Sequence, residues 1–336
     1  MENKNPSFNN ELYRFIADWL SDSPSISVKT SGSTGASKTI TVQKEQMRNS
    51  ARMTCDFLNL KKGDTALLCM PLDFIAGKMM VVRALETGMR LIARTPSSHP
   101  LKEMDETIDF AAMTPMQVYN SLHNETEANR LKSIKVLIIG GGVIPQELEI
   151  KLRNFPNQIY STYGMTETLS HIALRQLNGE GASAYYSPFT GIKLSLSDEN
   201  TLCIDAPLLS DEPIYTNDMA ELLPDGRFRI IGRKDNIINS GGIKIQAEVV
   251  EETLRKIINA SFAITSVPHP QYGEAVVLLI EGVDSPDTPI IAASLPKYQQ
   301  PKYIWNIDKI PLTETGKTAR EACKKIACER IMSDEL

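Results

Sequence analysis

The cysteines of this 336-residue chain do not pair up. The five (Cys55, Cys69, Cys203, Cys323, Cys328) are odd in number and none stands in a Cys-x-x-Cys, which argues against a disulfide framework or zinc site and fits a reducing, cytoplasmic setting. No stretch reaches the apolar length of a membrane span, so no membrane insertion is expected. Residues 1–6 lack the charged-then-apolar layout of a signal peptide, and without one the closing Asp334-Glu335-Leu336 is a chance likeness to a retention tail. There is no surplus of positive charge either. A net charge of -5 gives no general pull toward nucleic acid or an anionic membrane, so any anion site must be local. Nor is there an internal repeat. What is present is ordinary for a soluble globular protein, 42% hydrophobic and 23% charged, with length for about two domains.

Against this background one stretch stands out: Thr30-Ser31-Gly32-Ser33-Thr34-Gly35-Ala36-Ser37-Lys38. Glycines bring backbone N–H groups close to an anion, hydroxyls add donors and Lys38 adds a full charge, which is the chemistry of a polyphosphate cradle. The order Gly32-x-x-Gly35-x-x-Lys38 is not that of a Walker A loop. A flexible Ser/Gly connector is the alternative. Strand-like runs on either side, residues 26–29 and 39–42, favour a rigid turn.

Helical spacing of Met47, Ala51, Thr54 and Leu58 predicts a helix over 44–58. Apolar runs predict strands at 65–70, 89–93, 110–113 and 136–139, and residues 74–85 are apolar enough to be packed inside. Strands alternating with helices, without hairpin signals between them, indicate an α/β fold with a doubly wound, mainly parallel sheet. Beyond Leu177, turns and prolines mark a β-rich subdomain. A boundary after 232–235 leaves a small α+β unit, giving domains 1–234 and 235–336. In its final helix, the strip Arg320, Lys324, Lys325 and Arg330 reads as a solvated face.

Further stretches admit two readings each. Gly140-Gly141-Gly142 after the 136–139 strand would let a flat ring approach the backbone, or is a tight strand–helix turn. Tyr163-Gly164-Met165-Thr166-Glu167 offers a ring for a base and oxygens for Mg²⁺, or is a turn into a helix capped by Thr166. Asp218 suits paired ribose hydroxyls and Asp235 lies in the linker, though both residue types are common turn-formers. Lys317, on a Gly-marked turn before a helix, suits a developing phosphoryl charge or is an ordinary surface lysine.

Their order is more specific than any one of them. The 31–38 loop, Gly140-Gly141-Gly142, Tyr163-Gly164-Met165-Thr166-Glu167, Tyr215-Thr216-Asn217-Asp218, Gly232-Arg233-Lys234-Asp235 and Pro311-Leu312-Thr313-Glu314-Thr315-Gly316-Lys317 follow in sequence. The chain thereby resembles the acyl-adenylate-forming superfamily of acyl-CoA synthetases, and within it the o-succinylbenzoate–CoA ligases of menaquinone biosynthesis. The second likeness rests on Gly140-Gly141-Gly142-Val143-Ile144-Pro145, on residues 166–173 including His171, and on Asn239-Ser240-Gly241-Gly242. The resemblance implies a large N-terminal domain and a mobile C-terminal lid. It also implies ATP, Mg²⁺ and coenzyme A, with a small-molecule carboxylic acid converted to acyl-AMP and then to a thioester. Carried over, Thr30, Ser31, Gly32, Ser33, Thr34, Gly35 and Lys38 hold the β- and γ-phosphates. Gly141, Gly142 and Tyr163 enclose adenine, with Gly164 also in the ATP site, Asp218 and Arg233 take the ribose, and Thr166 and Glu167 serve the α-phosphate and Mg²⁺. Lys317 bridges acyl and phosphate oxygens, Asp235 is the hinge, and Gly241 and Gly242 are candidates for contact with CoA.

The chain departs from the pattern in several places. About thirty residues precede the loop, so the resemblance implies a reduced N-terminal subdomain. Ala36-Ser37-Lys38 replaces the usual Pro-Lys-Gly, Asn217 replaces a glycine, and no histidine follows Pro71-Leu72; Phe74 and His171 are the candidates the resemblance implies for the acyl pocket. Lys78, in an otherwise apolar segment, is expected to pair with the second carboxylate of o-succinylbenzoate or else to snorkel to solvent. Other aryl or acyl acids, loading of a carrier protein, a non-catalytic nucleotide-binding role and a homo-oligomer all stay open.

Overall fold

The computed structural model describes residues 6–29, 39–282, 288–313 and 318–334. The chain opens with helix α1 (Pro6–Leu20) and an antiparallel pair, β1 (Ser25–Lys29) and β2 (Thr39–Gln43), in the register Ser25 opposite Gln43 to Lys29 opposite Thr39. Residues 30–38 lie outside the described residues, between those strands. The largest layer follows: α2 (Lys44–Phe57), β3 (Thr65–Leu68), α3 (Ile75–Thr87), β4 (Arg90–Ala93), β5 (Phe110–Met113), α4 (Pro115–Leu122), α5 (Glu125–Ser133), β6 (Val136–Ile139), α6 (Gln146–Leu152), β7 (Gln158–Gly164), β8 (His171–Gln176) and β9 (Ser187–Pro188). The sheet order is β4-β3-β5-β6-β7-β8-β9, parallel from β4 to β7 and antiparallel beyond. Every residue of β5 and β6 is buried, as unbroken apolar runs require when both sheet faces are covered. One face packs on α2 and α3, the other on α4, α5 and α6. Thr114 starts α4 with a capping box to Gln117 and Pro115 in its first turn, and α3 stops at Gly88 in the left-handed conformation. The fold is α/β and doubly wound, as the alternation of elements predicts.

Next, β10 (Lys193–Leu196), β11 (Thr201–Asp205), β12 (Ile214–Leu222) and β13 (Phe228–Arg233) form a four-stranded antiparallel sheet. After a single helical turn at Lys234–Asn236 the chain enters a separate sheet. Its strands are β14 (Ile237–Ser240), β15 (Ile243–Gln246), β16 (Phe262–His269), β17 (Gly273–Glu281) and β18 (Tyr303–Ile307). Helices α7 (Ala247–Leu254) and α8 (Thr288–Ser294) join one core of this unit, and α9 (Arg320–Asp334) lies over the other. Arg320 corrects the reading of α9 as carrying a plain solvated strip, because it is paired with the buried Glu251. Among the described residues, no helix is long and apolar enough to cross a membrane.

Candidate active site

The strand order reverses between β3 and β5, and in open α/β sheets ligands gather outside the carboxyl ends of strands near such a point. There, β6 runs into the glycine turn, where Gly141 takes a φ of +80° that a side chain disfavours, and α6 follows from Pro145. On the neighbouring strand, Tyr163 donates its hydroxyl to Asp218 Oδ2 at 2.7 Å, 55 residues away in sequence. Its ring stands edge-on to Phe228, with centroids 5.1 Å apart, and is tilted at 5.9 Å to Tyr186. Asp218 and Arg233 face each other across β12 and β13, and Arg233 Nη1 donates to Asp218 Oδ1 at 2.9 Å. Arg233 Nη2 reaches Asp235 at 2.7 Å, and the Asn217 amide caps both Asp235 oxygens at 3.1 and 3.2 Å. Tyr163, Asp218, Arg233 and Asp235 therefore form one network.

Burial and then the Asp218 carboxylate push the Tyr163 hydroxyl far up, so it stays a neutral donor. Burial acts to lower the Arg233 pKa, but Asp235 and Asp218 together raise it. Each Asp218 oxygen keeps acceptor capacity, which is what a vicinal diol needs.

Beyond Tyr163 the sequence left a choice that the structure makes differently. No helix begins at Thr166; β7 continues through Gly164, and a tight turn leads into the antiparallel β8. Thr168 Oγ1 accepts from the Met165 N–H at 2.9 Å and donates to the Ser170 carbonyl at 2.6 Å, and Leu169 sits at φ +64°. A Cβ at Gly164 would lie 2.2 Å from the Ser170 carbonyl oxygen, so no other residue fits. Thr166 and Glu167 occupy the head of this turn, with Glu167 exposed. Its carboxylate makes no ion pair among the described residues, and such a hard oxygen donor suits Mg²⁺.

The turn delivers Ser170 and His171 into a buried polar cluster with α2 and α3. Arg83, 2% exposed, donates from Nη2 to Ser170 Oγ at 2.6 Å. The network closes with Ser170 O–H donating to His171 Nδ1 at 3.2 Å, and His171 Nε2–H donating to Thr54 Oγ1 at 3.1 Å. Thr54 Oγ1 in turn donates to the Ser50 carbonyl at 3.1 Å. This assignment needs a neutral His171. Burial, and then the neighbouring Arg83 charge, hold its pKa well below the usual range. Arg83 itself has no carboxylate within ion-pair distance among the described residues, and its buried Nε has no partner. Burial pulls its pKa down to about 10. The sequence reading missed Arg83, although its apolar flanks (Met79-Met80-Val81-Val82 before, Ala84-Leu85 after) were signal enough.

Lys78 does something else. Its ammonium donates to the Leu72 carbonyl and lies 5.3 Å from the Phe15 ring centroid, facing α1 rather than the Arg83 cluster. Lys78 is half-buried and burial lowers its pKa; its described contacts are the Leu72 carbonyl and the Phe15 ring, and it makes no ion pair with a carboxylate among the described residues. A polar cleft of about 480 Å³ opens beside it, lined by residues such as Asp18, Ser25 and Asp73. Phe74 is the N-cap residue of α3 and makes a parallel β-bridge to Lys29. Gly241 and Gly242 form the β14–β15 turn at φ +58° and +80°, with the Gly241 N–H donating to the Tyr272 carbonyl at 2.8 Å. The loop residues Thr30, Ser31, Gly32, Ser33, Thr34, Gly35 and Lys38, and Lys317, lie outside the described residues.

Comparison with known proteins gives a consistent picture. Residues 16–207 match the model of the AMP-binding enzyme family. The 2-succinylbenzoate–CoA ligase of Salmonella typhimurium is 27% identical over 321 residues, covering 89% of this chain and 68% of that protein. An acyl-CoA synthetase (AMP-forming)/AMP-acid ligase II-like protein from Dyadobacter fermentans is 32% identical with a TM-score of 0.67, over 96% of this chain and 95% of its own. The o-succinylbenzoate CoA synthetase of Bacillus subtilis, solved with ATP and magnesium, shares the fold at a TM-score of 0.71 and 19% identity, covering 88% of this chain and 68% of that one.

Proposed function

Because this chain belongs to the AMP-binding enzyme family, we propose that it activates o-succinylbenzoate with ATP and transfers the acyl group to coenzyme A. The observation that carries the substrate is Arg83. A fully buried guanidinium without a carboxylate partner is costly, and an aromatic carboxylate entering beside Ser170 would supply the missing charge through a charge-assisted, planar contact. A 27% identical ligase named for that acid supports the same reading.

In the first step the other carboxylate of the acid attacks the α-phosphorus of ATP, forming the acyl–phosphate bond and releasing pyrophosphate. An anionic nucleophile meets an anionic centre, so positioning and charge neutralisation do most of the work. Ser31, Gly32, Thr34 and Lys38 hold the departing phosphates, and Lys317 offsets charge on the reacting oxygens. Asp218 accepts from the ribose hydroxyls, held by Arg233 and Tyr163. Glu167, with Thr166 beside it, would hold Mg²⁺, which would supply positive charge to the phosphates. The CoA thiolate then attacks the acyl carbon and AMP leaves. Asp235, gripped by Arg233 and Asn217, is the pivot between the two steps.

A panel of carboxylic acids, assayed for pyrophosphate release with and without CoA, tests the proposal. Release confined to o-succinylbenzoate, with thioester formed only when CoA is added, is the expected outcome. Release with simple fatty or benzoic acids in preference would overturn the substrate.

A further inference from the structure

In the C-terminal unit, Glu251 on α7 is 3% exposed and receives both terminal nitrogens of Arg320, at 2.6 and 2.7 Å. The same carboxylate accepts from the Ile264 N–H at 2.8 Å, and Arg320 Nη1 donates to the Ile264 carbonyl at 3.0 Å. One buried fork therefore ties α7, β16 and the first residue of α9 together. Burial acts to lower the Arg320 pKa, but Glu251 outweighs it and raises the pKa.

The position of the fork along the chain matters. Leu312 pairs antiparallel with Thr318, and the Ala319 N–H donates to the Pro311 carbonyl at 2.9 Å. These two contacts close a loop whose sequence includes Lys317. Its outgoing leg, Thr318 and Ala319, runs directly into Arg320. A backbone pinned at both legs and anchored one residue further by a bidentate pair leaves little freedom at its stem.

We propose that Glu251 and Arg320 are positioning residues for the adenylation step: they hold Thr318 and Ala319, the described residues that directly follow Lys317 in sequence. The inference rests on the role given to Lys317 above. A charge-neutralising group must be held within about half an ångström of its productive place, and a displacement near 1 Å costs about a hundredfold in rate. An ion pair that only stabilised the unit would affect both half-reactions alike.

The test uses full-length wild type, Glu251→Gln, Arg320→Lys and Lys317→Ala. Glutamine keeps size and one acceptor, and lysine keeps charge but not the fork. For each, ATP-dependent pyrophosphate release with o-succinylbenzoate is compared with CoA-dependent conversion of supplied o-succinylbenzoyl-AMP, and the thermal midpoint is recorded. Glu251→Gln and Arg320→Lys are expected to lower kcat for release about 10- to 100-fold, with KM for ATP and thioester formation within about twofold of wild type. A parallel fall in both half-reactions, or no fall in release, overturns the positioning role while Lys317→Ala still abolishes release. Unimpaired release by Lys317→Ala overturns the Lys317 reading itself, and this inference with it.

Discussion

Lys78 and Arg83 sit five residues apart on the same helix, in the same apolar run, and meet opposite fates. At about 100° per residue they project some 140° apart around the axis. Lys78 reaches a carbonyl and an aromatic ring of α1, and keeps a polar cleft beside it. Arg83 points into the protein, against Ser170 and Met80, with no carboxylate within ion-pair distance among the described residues. A charge in an apolar segment thus carries no functional meaning until its face is known. A long flexible stem lets the half-buried Lys78 keep one side toward the polar cleft, at a desolvation cost that lowers its pKa, whereas the guanidinium of Arg83 is fully enclosed.

The largest effect that would break the comparison is expected at Arg83. Arg83→Met should reduce kcat/KM for o-succinylbenzoate about 30- to 5,000-fold, the range for losing one partner of a buried charge pair, without lowering the thermal midpoint. Activity toward the analogue that lacks the ring carboxylate should not fall. Equal losses on both acids would make Arg83 a structural residue.

A smaller effect concerns pH. His171 is held neutral in the fold, with its pKa well below the usual value near 6.5, so below that pH the unfolded chain binds the extra proton. Stability from this group is therefore present above about pH 6.5 and lost as pH falls, by up to about 1.4 kcal/mol per pH unit. Urea titrations at pH 7.5 and 5.5 should show the loss, and His171→Asn should flatten it.

The smallest effect is expected at Lys78. Lys78→Ala should shift KM for o-succinylbenzoate by less than about twofold and stability by about 0.5–2 kcal/mol, the worth of a cation–π contact between exposed and desolvated. A KM rise exceeding that of Arg83→Met would invert the comparison.

Local chemistry was legible wherever a few neighbouring residues decide the outcome. Phe110-Ala111-Ala112-Met113 and Val136-Leu137-Ile138-Ile139 can only be strands buried on both faces, and they are. The turn at 165–170 was harder, because a Thr after a Tyr-Gly serves a helix start and a strand connection equally well. What decides it is Thr168 closing onto the Ser170 carbonyl while β8 pairs back on β7. Arg320 was misread for a similar reason. Lys324 at i+4 on α9 and Lys325 beside it suggest water, but the partner of Arg320, Glu251, lies 69 residues upstream.

The order of its motifs, written into the sequence, was enough to place this chain among the AMP-binding enzymes and to predict an alternating α/β layer followed by a smaller unit. Periodicity, turn residues and short spacings are properties of neighbours, and neighbours are what a sequence displays. Tertiary structure alone decided that Tyr163, Asp218, Arg233 and Asp235 form one network, that Arg320 is an anchor, and that Arg83 rather than Lys78 is the buried cation. Those outcomes depend on desolvation and on contacts between distant segments, and both arise only when helix faces and strand edges are packed against each other.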